Sequence, residues 1–510
     1  MKVIANLFHG EDKSKGGSLI RKLWPFLILL IFGLSNSVIG QPEGITDADI
    51  SQAIENELLW NEAVPSHLID VSTMDGIVTL SGSVNNILAL DKAMKIAQSV
   101  RGVKSVINEI EVKGKALPDS QVKNNVESRL FNDPVTKEYN VNINVEDGVV
   151  TLTGEVDSWK KKRITEQVAK TARGVKGVKN RLSVQFAQER PDDEIRKEII
   201  RMMELDVVVN HNLVDVIVED GRVTLSGSVG SAAEKHEAIS IAYVAGVESV
   251  NAEELEVKPW ARDLTRTDGR PVDKSDQDIE IALKEALLHQ PRISSFDIMV
   301  EVEDNIAILS GEVSNLKAKD AAEQTAENTL GVWEVENNIK VRPETLPGEK
   351  ALRQKVKEAL EQVPYIRPEE ITFNIFNNKV YLYGSADKYF DKWWAREVVA
   401  RLEGVVSVDN NIRVDKEWSW KSDERIRENV NDEFFWSLNV DGDDINVSVK
   451  DGEVILSGTV DTMFEHNAAI DNALEAGAKS VTSNLKIKYG PQNFRQDYFL
   501  PLYNYAKRSL

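Results

Sequence analysis

The sequence predicts an α+β protein of six tandem small domains, each running helix-strand-strand-helix-strand with two helices on one face of a three-stranded sheet. Three observations predict it. Single glycines recur at Gly82, Gly154, Gly227, Gly311, Gly384 and Gly458, spaced by 72, 73, 84, 73 and 74 residues. A second glycine follows each by 19 or 20 residues, at Gly102, Gly174, Gly246, Gly331, Gly404 and Gly477. Around these fixed points the hydrophobic period changes in the same order every time.

The second copy shows the order most cleanly. Asp119 and Ser120 can cap a first helix, after which Val122, Val126 and Leu130 recur every four residues on one face. Alternation follows: Val141, Ile143 and Val145 face one way, and Asn142, Asn144 and Glu146 the other, as in a half-buried strand. Asp147-Gly148 is a tight-turn pair, because both central residues of that turn need positive φ. The return strand directs Val150, Leu152, Gly154 and Val156 inward, so the repeated glycine is an inward position open to close approach by a helix backbone. Asp157 and Ser158 can cap a second helix that runs to about Arg173 and stops at Gly174. A short last strand carries the pattern Gly-Val-x-x-Val, at Val175 and Val178 here and at Val103 and Val106 in the first copy. Turn pairs in the other copies are Asp75-Gly76, Asp220-Gly221 and Asp451-Gly452, with Asp304-Asn305 and Asn377-Asn378 using the best substitute for glycine.

The copies occupy residues 46–113, 118–185, 191–257, 275–342, 347–414 and 422–488, with a linker insert at 258–274 and a tail at 489–510. Residues 1–40 differ: Lys13, Lys15, Arg21 and Lys22 precede the apolar run Leu23 to Leu34. That order marks a signal peptide cleaved after Gly40, or an uncleaved N-terminal anchor that is short for a span of roughly 20 residues. Either places the remainder outside the cytoplasm. The net charge of −21 disfavours nucleic acid as a partner. Absence of cysteine excludes disulfides, thiol nucleophiles and Cys-ligated zinc.

The element order, the paired glycines and segments such as Gly76 to Val84 (GIVTLSGSV) and Gly221 to Val229 (GRVTLSGSV) resemble the BON domain. The likeness covers residues 46 to about 488 and recurs independently in six copies. The resemblance implies a periplasmic or cell-envelope location, a link to osmotic stress, no catalytic residues, and association with phospholipid surfaces or envelope proteins.

Chemistry-bearing patterns are sparse. The histidines at 9, 67, 211, 236, 289 and 466 share no repeat position and no metal-ligand spacing, so no metal and no cofactor are expected. Asp441, Gly442, Asp443 and Asp444 are too compact for a calcium loop and read as an acidic turn. Asp192 and Asp193 read as helix caps. Gly174 and Gly177 imitate a phosphate-binding fingerprint only at the wrong end of a helix. A six-copy enzyme should repeat its catalytic side chains, and none repeat.

The distinctive positions lie at the start of the second helix, five residues past each strand glycine: Ile87, Trp159, Ala232, Leu316, Tyr389 and Met463. These corners are expected to be exposed. In copy 2, Trp159 precedes Lys160, Lys161, Lys162 and Arg163, cations that oppose the helix dipole and suit an anionic lipid surface. A solvated charge run is the plainer reading. Copy 5 places Tyr389, Phe390, Trp393 and Trp394 at the same helix, near Trp418 and Trp420. Trp393 and Trp394 point about 100° apart, so one helix face buries both only with difficulty; docking to a partner and packing between copies both account for them. Two functions follow: a non-enzymatic envelope protein binding anionic phospholipid surfaces or envelope proteins, or a structural array that self-associates or scaffolds proteins without touching lipid.

Overall fold

The computed structural model describes residues 45–488 apart from 62, 115, 138–139, 187–188, 259, 263–273, 289, 291, 294–297, 344–345, 362–366, 387 and 415–420. The leader, the tail, Trp418 and Trp420 lie outside the described residues. Six successive units contain the expected elements in the expected order. In repeat 2 these are a helix Asp119–Asn132, strands Val141–Glu146 and Val149–Val156, a helix Trp159–Lys170 and a strand Gly177–Val184. The other first helices are Asp47–Trp60, Asp192–Leu205, Asp276–Leu288, Glu349–Glu361 and Asp423–Trp436. The other second helices are Ile87–Ser99, Ala232–Ala242, Leu316–Glu327, Tyr389–Ala400 and Met463–Glu475. Among the described residues no helix is long and apolar enough to cross a membrane.

Each sheet pairs its first two strands antiparallel through the tight turn and adds the third strand parallel to the second. Parallel pairing needs a crossover, which the second helix supplies. In repeats 3 and 4 the third strand is split into short pieces, Ser249–Asn251 with Leu255–Val257 and Glu334–Asn337 with Lys340–Val341. Val150, Leu152 and Val156 are buried with Val122, Val126 and Leu130 of the first helix and Ile164 and Val168 of the second. Each such aliphatic side chain contributes roughly 2 kcal/mol by leaving water. The opposite strand face, with Asn142, Asn144 and Glu146, is exposed.

The turn residues have the required handedness, Asp147 at φ 52° and Asn377 and Asn378 at 48° and 59°. Where asparagine replaces glycine it gains a bond: the Asn305 and Asn378 amides donate to the carbonyls of Gly331 and Gly404 at 2.9 and 3.0 Å.

Two expectations are corrected. Asp119 does not cap its own helix with its side chain. Its two carboxylate oxygens accept from the backbone N–H groups of Asp147 and Gly148 at 3.0 and 2.9 Å, tying the helix to the hairpin turn. Asp47, Asp192, Asp276 and Asp423 do the same in their repeats. The tight turn leaves two N–H groups pointing outward, and a carboxylate satisfies both. Asp119→Ala is therefore expected to cost about 2 kcal/mol and Asp119→Asn about half that, measured by urea unfolding. The second correction concerns the strand glycines. The close approach at Gly154 comes from the carbonyl of Asn140, just before the first strand, 2.5 Å from where a Cβ would sit, and not from a helix backbone.

Candidate functional site

Four of the second-helix starts, expected to be exposed, pack against other repeats: Ile87, Ala232 and Leu316 are buried there and Trp159 is half-buried. Ile87 of repeat 1 is 6% exposed and belongs to the core cluster of repeat 2. The Trp159 indole N–H of repeat 2 donates to the carbonyl of Val247 in repeat 3 at 2.6 Å, and its ring lies 4.7 Å from that of Tyr243. Ala232 of repeat 3 donates its backbone N–H to the carbonyl of Val103 in repeat 1 at 3.3 Å. Repeats 1, 2 and 3 thus contact one another in a cycle, each using the corner that a lone domain would leave in water. Val103 and Val247 both directly follow the second glycine, so one element of the repeat receives what another offers.

The basic stretch of copy 2 lies on this cycle. Lys162 sits over the Trp159 ring at 4.9 Å, and Lys161 pairs with Asp157 at 2.6 Å. Arg163 donates to the Ser240 hydroxyl of repeat 3. Burial lowers the Lys160 ammonium to about 8, with Arg163 adding repulsion and Glu198 of repeat 3 opposing it. Lys170 pairs with Asp91 of repeat 1 at 3.0 Å. Of the five residues assigned to an anionic surface, Trp159 and Arg163 contact repeat 3, which supplies carbonyl and hydroxyl partners, and Lys160 lies in the field of its Glu198, none of which any spacing within copy 2 reveals.

Glu237 of repeat 3 faces Arg163 of repeat 2 and Lys95 of repeat 1. Burial, with help from Asp206, nonetheless pushes its carboxyl up to about 7. A carboxyl raised on folding favours the folded state least when ionised, so stability falls as pH rises from about 4.5 to about 7. Glu237→Gln is expected to match the parent at pH 4 and to exceed it by about 1–3 kcal/mol at pH 8, measured by denaturant melts.

In copy 5 the packing between copies is the account that the burial supports, although the two Trp side chains were expected to be hard to bury together. Trp393 and Trp394 are 4% and 1% exposed, so both are buried. Phe390 stacks on Trp394 at 6.1 Å, and Trp393 tilts against Trp394 at 5.5 Å. Their cluster includes Leu88 of repeat 1 and Leu316 of repeat 4, so neighbouring repeats cover the faces that one sheet cannot. Tyr389 opens the helix; its side chain lies outside what the structure describes. Beside the aromatics, Arg396 of repeat 5 forms a two-pronged bond to Asp320 of repeat 4, at 2.9 and 3.1 Å.

A second set of contacts pairs repeat 1 with 6, 2 with 5 and 3 with 4, between first helices in the last two pairs and, in the first, from Arg101 just past the second helix of repeat 1 to the first helix of repeat 6. The pairs are joined by Arg101 N–H to the Trp436 carbonyl at 3.2 Å, Arg129 to the Ala359 carbonyl at 2.8 Å, and Arg201 to Glu285 at 2.9 Å. The start of the insert adds to these, since Arg262 is buried and donates to the Ser437 carbonyl at 2.5 Å. The acidic turn is a structural cap: Asp441 accepts from the Asp443 N–H at 3.2 Å, and Asn210 makes the same bond in repeat 3 without any aspartates. His466 is a core residue between Asn467 and Ser483.

The BON domain family model matches residues 46–114, 118–185, 191–259, 275–343, 348–416 and 422–489. The chain is 33% identical over 144 residues to "Osmotically-inducible protein Y" of Escherichia coli (strain K12), covering 27% of this chain and 71% of that protein. It is 31% identical over 140 residues to "Uncharacterized protein in gshII 5'region" of Anaplasma centrale, covering 26% of this chain and 91% of that one. Among solved structures it matches CdsD, a structural protein of the type III secretion system of Chlamydia trachomatis, at 15% identity and a TM-score of 0.12, over 41% of this chain and 91% of that one. With six matched units across most of its length, the chain belongs to the BON domain family.

Proposed function

We propose that this chain is an exported, non-enzymatic scaffold of the cell envelope, acting in the response to osmotic stress. One observation carries the scaffold reading: the side chains that distinguish one repeat from another, Trp159 and Arg163 in repeat 2 and Trp393 and Trp394 in repeat 5, join repeats to each other. Repeats locked in this way present fixed surfaces, which suits holding partners in place better than catalysis. The stress assignment is supported by the relative's printed name, and export to the envelope by the basic-then-apolar leader. Fractionation of cells expressing the full chain, with N-terminal sequencing of the mature form and crosslinking, tests this. Recovery in the periplasmic or envelope fraction with envelope proteins crosslinked is expected; recovery in the cytoplasm would overturn it.

Direct binding of anionic phospholipid is the second reading. Its support is the apolar side chains standing on outer strand faces, Ile217, Met299, Phe376 and Ile455. It predicts cosedimentation with anionic vesicles that weakens as salt rises. If copy 2 is the lipid contact, changing Lys160, Lys161 and Lys162 together to Glu abolishes cosedimentation. Unchanged binding would remove copy 2 from that role.

A further inference from the structure

Where repeats 1 and 6 meet, Glu57 of one first helix faces Glu433 of the other, and Glu475 joins them from the second helix of repeat 6. One carboxylate oxygen from each lies within 4.8 Å of the others. Glu433 is 2% exposed, and its Oε1 has no hydrogen-bond partner among the described residues. A buried carboxyl with one oxygen lacking a donor, beside two more carboxyls, is a costly arrangement that calls for a shared proton or a cation. Lys92 faces the cluster from repeat 1, but Asp471 also faces Lys92 and Asp432 also faces Glu433, so acids outnumber the single nearby ammonium. Lys95 lies beyond Lys92 and repels it.

The other junctions show that the fold does not require this chemistry. Glu57 and Glu433 stand ten residues after the aspartate that opens the first helix. At the same offset the second junction has Arg129 with Ala359, and the third has Met202 with Ala286. Arg129 there settles on a neighbouring carbonyl, whereas two glutamates satisfy each other only by sharing a proton, which a divalent cation would displace.

We propose that the junction of repeats 1 and 6 holds a hard divalent cation, Ca2+ or Mg2+, coordinated by Glu57, Glu433 and Glu475. All-oxygen, all-carboxylate donors select hard cations over thiophilic or imidazole-loving metals. Donors on opposite sides of one Ca2+ stand about 5 Å apart, which the observed spacing accommodates, while Mg2+ requires a small contraction. Glu57 and Glu475 are half-buried, so water reaches the cluster and can complete the coordination shell. The cation would tie the first repeat to the last.

The test is thermal melting of the full chain, stripped with EDTA, in millimolar Ca2+, Mg2+ or K+ at matched ionic strength. A divalent cation raises the melting temperature by about 2 °C or more and K+ does not. Glu433→Gln, which removes the buried charge and keeps the shape, abolishes the response, and Glu358→Gln at another junction keeps it. Comparison of the two divalent arms identifies the ion. Should Glu433→Gln fail to fold, calorimetric titration of the parent and of Glu475→Gln with Ca2+ replaces it, with one ion per chain expected in the parent and weaker binding in the variant. A parent that ignores divalent cations, or responds only to pH, overturns the proposal, as does a response that survives Glu433→Gln or binding that Glu475→Gln leaves unchanged.

Discussion

Gly458→Ala is expected to destabilise the fold at repeat 6 by about 4 kcal/mol or more. Gly458 has φ +130°, a region that side chains rarely adopt, and an added Cβ would lie 2.0 Å from the carbonyl oxygen of Asp444. That oxygen is backbone, at the entry to the first strand, and cannot move without shifting the whole hairpin. Gly458 also pairs with Ile445, the first residue of that strand, so the clash falls where the sheet register is set. Gly177 supplies the control: it also lies in a strand, but a Cβ there meets only Val149 methyls at 3.7 and 3.8 Å. Gly177→Ala should change stability by less than about 0.5 kcal/mol. Urea unfolding followed by hydrogen exchange in repeat 6 distinguishes the two, and equal effects would contradict the steric account.

Arg396→Met is expected to cost about 3–5 kcal/mol, because it leaves Asp320 buried without its main partner. Arg396 and Asp320 are 8% and 7% exposed, and both guanidinium prongs are engaged. Glu397 and Lys317 complete the group, with Lys317 2.9 Å from Glu397 and 3.5 Å from Asp320. The pair as a whole need not stabilise much, since desolvation offsets most of its attraction. Replacing both partners, Arg396→Met with Asp320→Leu, should therefore recover most of the loss in a double-mutant cycle. Acid should act in the same place. Burial opposes ionisation of Glu397, but Lys317, Arg401 and Arg396 hold its carboxyl below the usual 4.5. A carboxyl lowered on folding contributes stability above that value and loses it as pH falls through its folded value, so the contact between repeats 4 and 5 should weaken below about pH 4.

The single repeat was legible because its signals are local. Asp147-Gly148 specifies a turn, Val141, Ile143 and Val145 alternate, and Gly154 and Gly174 punctuate the chain at fixed offsets. The relation between repeats was not, because its signals are split across the chain. Trp159 beside four cations resembles a lipid footprint when read alone; its partners Val247, Ser240 and Glu198 belong to another repeat. Trp393 and Trp394 look impossible to bury together on one helix, yet both are buried once other repeats cover the remaining faces. The turn-binding role of Asp119 did leave a trace. Aspartate opens the first helix in five of six repeats, lying 28 residues before the turn, a regularity stronger than capping requires. Glu57, Glu433 and Glu475 left none, since glutamates on amphipathic helices are ordinary until two helices bring them together.

The central claim is that the six repeats are joined into one body through contacts of their second helices and through the junctions that pair repeat 1 with 6, 2 with 5 and 3 with 4. Calorimetric unfolding of the full chain tests it most directly, through the ratio of van't Hoff to calorimetric enthalpy. One body predicts a dominant transition whose ratio approaches one, and a fall in cooperativity when Trp393 and Trp394 become Ala. A ratio near one sixth, unchanged in that variant, would mean six domains melting independently and would contradict the claim.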